Sequence, residues 1–124
     1  MVEGRCNCSG IKVSLAELPK QYSSNCRRAG STVGAFIYVI DKDQVKIDDQ
    51  KGYLKTYQDS DTKSGNTILR KFCSNCGSPI ASLISEEAPQ MYLKCGLFEE
   101  IPVATYKAFE DEEPAWFKIS QPNL

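Results

Sequence analysis

Apolar residues recur along the chain in short runs separated by polar or Gly/Pro-containing turns, a rhythm that predicts strands rather than helices. Residues 11–15 alternate apolar and polar positions, as a strand with one buried face does. Residues 35–40, Ala-Phe-Ile-Tyr-Val-Ile, form a β-branched and aromatic run between Gly34 and Asp41, which predicts a buried strand with residues 45–47 as its hairpin partner. Residues 53–57, 67–72, 80–84 and 91–95 continue the pattern. Along the last of these, Met91, Leu93, Cys95 and Leu97 share one face and Tyr92 and Lys94 the other. Helical periodicity is never sustained beyond about three turns. The best helix candidate is a short piece over residues 25–32, with Asn25 as its cap. The pattern therefore predicts a mainly β fold with little helix, forming one domain over residues 1–124. The polar loop at 59–65 and the acidic turns at 86–89 and 110–114 read as solvated surface, and the last residues, 122–124, are expected to fray.

Composition narrows the functions available. Fifteen basic against 16 acidic residues leave a net charge of −1, so the chain carries no electrostatic footprint for nucleic acid or an anionic membrane. It has no apolar run of spanning length, and residues 1–5 lack the character of a signal peptide. A soluble, cytoplasmic protein is expected, with a small molecule as partner. No histidine occurs anywhere, which removes the commonest general base and every Ser-His or Cys-His arrangement. Oligomeric state has no signature in the sequence.

Six cysteines carry the remaining chemistry. Cys6 and Cys8 form a C-x-C pair, and Cys73 and Cys76 a C-x-x-C pair followed by Gly77. Two thiolates from each pair match a four-coordinate structural Zn²⁺ site, and Gly77 lets the backbone turn beneath the metal. In a reducing compartment this spacing favours a metal over the alternatives, a disulfide pair or free thiols.

The ordered set Gly4-Arg5-Cys6-Asn7-Cys8-Ser9-Gly10, then Cys26-Arg27-Arg28-Ala29-Gly30-Ser31, then Ser64-Gly65 and Arg70-Lys71-Phe72-Cys73-Ser74-Asn75-Cys76-Gly77, resembles the glutathione-dependent formaldehyde-activating enzyme family, also called the centromere protein V family. The likeness continues through Gly96-Leu97 and Pro114-Ala115-Trp116. It implies a zinc-stapled β-tent of antiparallel sheets in which Cys6, Cys8, Cys73 and Cys76 hold a structural zinc. It also implies a second, catalytic zinc held by three cysteines in a C-H-C-x-x-C arrangement. Of that set only Cys26 remains here; the earlier cysteine positions fall on Gln21 and Ser23, and the family histidine on Tyr22. An amide and an alcohol are weak zinc ligands beside thiolate, so one structural zinc and a metal-free second pocket are expected.

The family's reaction joins glutathione to formaldehyde or reverses that step, a carbon-sulfur lyase chemistry. The resemblance places Tyr22, Ser23, Cys26, Arg27 and Arg28 at the former metal cleft. Cys26 is the candidate nucleophile or proton donor, against the plainer reading of a remnant thiol. Tyr22 and Ser23 are candidates to orient a carbonyl or imine, and Arg27 or Arg28 to bind a carboxylate or phosphate. Cys95 reads as buried and inert, Lys94 as a surface lysine with a Schiff-base role as the alternative, and Trp116 and Phe117 as core packing. Two functions follow: a diverged lyase-like enzyme acting on a carbonyl, imine or thiol adduct, and, as the alternative, a non-catalytic zinc-stabilised binding module.

Overall fold

The computed structural model describes residues 1–18, 22–25, 35–62, 65–101, 106–107 and 115–116. Its strands are β1 (Val2–Arg5), β2 (Lys12–Leu15), β3 (Tyr22–Asn25), β4 (Ala35–Asp41), β5 (Lys46–Asp48), β6 (Leu54–Asp59), β7 (Ile68–Cys73), β8 (Pro79–Leu83), β9 (Gln90–Lys94) and β10 (Tyr106–Lys107). Single 3-10 turns at Lys42–Gln44 and Cys95–Leu97 are the only helical elements among the described residues. None of the described helices is long and apolar enough to cross a membrane.

The strands form a three-stranded sheet, β1-β2-β5, and a seven-stranded sheet, β10-β3-β4-β9-β8-β7-β6. All pairings are antiparallel except β10 with β3. Alternation on β2 sends Val13 and Leu15 inward, where they meet Tyr38 and Ile40 of β4, Ala81 and Leu83 of β8, and Met91 and Leu93 of β9 in one core. Directly opposed residues share a face. The register Tyr38↔Leu93↔Ala81 therefore defines the inner face of the large sheet.

Residues 45–47 do not pair with β4. Instead β5 lies against β2, through Lys12↔Asp48, Val13↔Ile47 and Ser14↔Lys46. A tight hairpin after β4 would need residues at positive φ, and Lys42-Asp43-Gln44 offers no glycine or asparagine for it. The chain takes a 3-10 turn there and leaves the large sheet, while β4 is flanked by β3 and β9.

Three strands lacked a sequence pattern, among them the two-residue β10. β1 contains Gly4, which breaks the apolar alternation for a packing reason: a Cβ there would lie 2.8 Å from the Leu97 carbonyl oxygen and 2.9 Å from the Phe98 ring. β3 is Tyr-Ser-Ser-Asn, too polar to read as a strand, and it ends at Asn25 where a helix cap was expected. The remainder of that helix candidate, like residues 110–114, Phe117 and 122–124, lies outside the described residues. Trp116 corrects another expectation, being 77% exposed rather than packed in the core.

Candidate metal centre and the adjoining sheet face

The two cysteine pairs sit in two hairpin connections, one from each sheet. Cys6 and Cys8 lie between β1 and β2, Cys73 is the last residue of β7, and Cys76 follows in the turn to β8. All four sulfurs fall within 4.8 Å of one another. Cys6 Sγ is 3.6 Å from Cys8 Sγ, and Cys8 Sγ is 3.7 Å from Cys73 Sγ. Four thiolates bound at about 2.3 Å to a tetrahedral ion have sulfur–sulfur edges of about 3.8 Å. The quartet thus has the dimensions to hold a metal ion. The disulfide alternative fails: Cys6, Cys8, Cys73, Cys76 and Cys95 are all free thiols, and the quoted sulfur separations far exceed a covalent bond.

Backbone geometry shapes both loops. In the first, Cys6 N–H donates to the Ile11 carbonyl at 3.1 Å, Ser9 N–H donates to the Cys6 carbonyl at 3.1 Å, and Ser9 adopts φ 64°. Ile11 N–H donates to Cys6 Sγ at 3.3 Å. In the second, Gly77 has φ 80° and its N–H donates to the Cys73 carbonyl at 2.7 Å, while Cys73 N–H donates to the Ser78 carbonyl at 2.9 Å. The glycine expected to turn the chain under the metal does so in the left-handed region.

Three supporting residues had no readable motif. Ser78 Oγ accepts from Asn7 N–H at 3.0 Å and lies 3.2 Å from Cys76 Sγ, so one hydroxyl ties the loops together. Asp49 accepts from Tyr53 N–H at 2.8 Å and from Leu54 N–H at 3.0 Å, and the Tyr53 carbonyl accepts from Ser74 N–H at 2.8 Å. The Tyr53 ring lies over Gly10, where a Cβ would approach to 2.5 Å. A serine beside a C-x-x-C-G motif and an aspartate before a turn were the available signals, both too common to stand out.

The thiols have unequal acidities. Hydrogen bonds from the Ser78 hydroxyl and backbone lower Cys76 to about 5. Burial pushes Cys73 up to about 11. Cys8 is lowered, first by the Asn75 side chain and then by the Gly10 backbone. Cys95, outside the quartet, is buried in the core and pushed up to about 12 by desolvation, as expected of an inert thiol.

At the second set of predicted residues, β3 places Tyr22 opposite Tyr38 and Ser23 opposite Ile37. Gln21, Cys26, Arg27 and Arg28 lie outside the described residues. Lys94 is in register with Ile37, so Ser23, Ile37 and Lys94 form one cross-strand row. It is only 9% exposed, which corrects its reading as a surface lysine.

A sequence model described as "Glutathione-dependent formaldehyde-activating enzyme" matches residues 1–118. Among solved structures, a Rhodobacter sphaeroides protein superposes with a TM-score of 0.58 at 17% identity, over 81% of this chain and 90% of the other, a likeness of fold. Comparison with curated proteins gave no significant match.

Proposed function

The chain belongs to the glutathione-dependent formaldehyde-activating enzyme family, and from that premise we propose a diverged small-molecule enzyme with one structural zinc and a remodelled, metal-free second pocket. The observation that carries the reading is the contrast between the two cysteine sets. The quartet is complete and convergent, whereas Gln21 and Ser23 stand at the positions that the family resemblance assigns to two of the three thiols of a second set. Zinc is the ion of choice for a closed four-thiolate site, and without histidine the chain offers no imidazole ligand to any metal.

In this reading the pocket acts on a carbonyl, imine or thiol adduct in lyase-like chemistry, in a soluble cytoplasmic protein. Cys26 supplies a thiol, Tyr22 and Ser23 supply hydroxyls that orient the reacting oxygen or nitrogen, and Arg27 or Arg28 holds an anionic part of the substrate. The test is turnover of glutathione with formaldehyde and with larger aldehydes, followed by NMR, in wild-type protein and in Cys26→Ser, Tyr22→Phe and Arg27→Met. Loss of at least about tenfold in rate in one or more variants supports the reading; unchanged rates in all three refute the pocket assignment. Wild-type protein that turns over none of these carbonyls yet binds them favours the second reading, a zinc-stabilised binding module, which the loss of the two thiols motivates.

A further inference from the structure

One edge of the seven-stranded sheet is open. Among the described residues β6 pairs only with β7, and residues 55–58 are all exposed, Tyr57 to 59%. Its ladder with β7 runs through six successive opposed pairs, Leu54↔Cys73 to Asp59↔Ile68, without a shift. Sheets protect such edges by keeping them short, or with proline or a bulge. β10, at the opposite end, is two residues long, whereas β6 has six residues and neither proline nor bulge.

Hydrogen bonds fix which peptide groups face outward. In an antiparallel pair alternate residues bond the neighbouring strand, and those between them turn their N–H and C=O away from it. Ser74 N–H donates to the Tyr53 carbonyl at 2.8 Å, which puts residues 53, 55, 57 and 59 in bond with β7. Leu54 N–H agrees with this parity, since it donates to Asp49 at 3.0 Å instead of to β7. Thr56 and Gln58 therefore present both N–H and C=O at the open edge. Lys55, Tyr57 and Asp59 share one face of the strand. It is the outer one, because Gln58, on the other face, opposes Leu69, which packs against the core.

A second copy of β6 fits this edge better than an arbitrary strand. Set antiparallel about a two-fold axis at Tyr57, the outward groups of Thr56 meet those of Gln58 in the other copy, and symmetry repeats the exchange across the axis. The same register sets Tyr57 against Tyr57 and Lys55 against Asp59, an aromatic pair flanked by opposite charges. Asp59 accepts from Arg70 at 2.7 Å and from Asp61 N–H at 3.1 Å, and a carboxylate has about four acceptor sites, so it has room for a lysine. Moving the axis to Thr56 or Gln58 sets Lys55 or Asp59 against Tyr57 and loses the charge pairing. A lysine on an edge deters unrelated strands. An acid at the opposed position lifts that penalty, which selects a copy of this chain.

We propose that β6 is a homodimer interface, pairing with β6 of a second copy about a two-fold axis at Tyr57 so that one sheet runs through both subunits. The proposal stands independently of the pocket reading. An interface built on one strand edge belongs to the small, transient class, and a dissociation constant of about 1–100 µM is expected.

Sedimentation equilibrium of the full chain over about 1 µM to 1 mM reads the association. Wild type is expected to pass from monomer to dimer and no further, because pairing consumes the open edge of both copies. Lys55→Glu and Asp59→Lys each face like charges in their own dimers and should weaken association at least about tenfold. An equimolar mixture of the two should dimerise again, because each supplies the charge the other needs. Asp59→Lys also loses its bond to Arg70, so Tyr57→Cys supplies a second readout. Under mild oxidation Tyr57→Cys should form a covalent dimer across the axis, while Ser60→Cys, exposed but displaced from its counterpart along the strand, should not. Lys55 and Tyr57 are exposed in the single chain, so their variants should leave its stability nearly unchanged in melts run below the dissociation constant. A chain that stays monomeric throughout, an assembly beyond the dimer, unchanged association in Lys55→Glu, or equal cross-linking of the two cysteine variants overturns the proposal.

Discussion

Two glycines at the metal centre do different work. Gly10 is required by space, since its Cβ would meet the Tyr53 ring at 2.5 Å and Cys8 Sγ at 3.3 Å. Gly77 is required by conformation, because it sits at φ 80° with nothing within 4 Å of a Cβ. Gly77→Ala should cost about 1–2 kcal/mol from backbone strain alone and leave metal affinity nearly intact. Gly10→Ala should cost about 1–3 kcal/mol from overpacking and also loosen the metal, because the clash displaces a ligand sulfur. Denaturant melts with chelator competition separate the two; equal metal loss in both would contradict the distinction. Cys73→Ser is a harsher change, expected to release the metal and lower the melting temperature by on the order of tens of degrees. A stable, metal-free Cys73→Ser protein would show that the quartet is not a clamp.

Among the strands, legibility followed the apolar patterning of each segment. β4 was readable from its dense β-branched and aromatic side chains, and β9 from the alternation that sends Met91 and Leu93 into the core. β3 was not, because its place is fixed by pairing with β4 and β10 rather than by its own polar side chains. The mistaken partner for β5 came from a turn that lacks hairpin chemistry, a signal present in Lys42–Gln44 but outweighed by proximity in sequence. Lys94 was assigned the correct face and the wrong burial: alternation gives parity, whereas whether a face is covered is a tertiary fact. Leu93 of β9, fully buried on the inner face, should cost about 2–5 kcal/mol when changed to Ala. Tyr57 of β6, on an exposed edge, should cost within about 0.5 kcal/mol when changed to Thr. Chemical denaturation measures both, and a reversed order would mean the core has been misplaced.

For the molecule as a whole, the cysteine quartet brings one hairpin of the small sheet against one of the large sheet across 65 residues of sequence, where a metal ion would staple the two. The cysteine spacing made this staple legible, while its support by Asp49, Tyr53 and Ser78 emerged only from the fold. Acid should undo it, since protons compete with the ion for every thiolate. The sign follows from the thiols: Cys73, raised to about 11, takes a proton readily, whereas Cys76, lowered to about 5, keeps its negative charge until the pH falls through that range. Metal occupancy should therefore fall on acidification, with the melting temperature following it; a melting temperature that stays constant while the metal leaves would contradict the staple.

The central claim is a complete structural quartet beside a second site that no longer holds metal. Elemental analysis of the purified protein tests it most directly. One zinc per chain is the predicted result, and two per chain, or none, would contradict it.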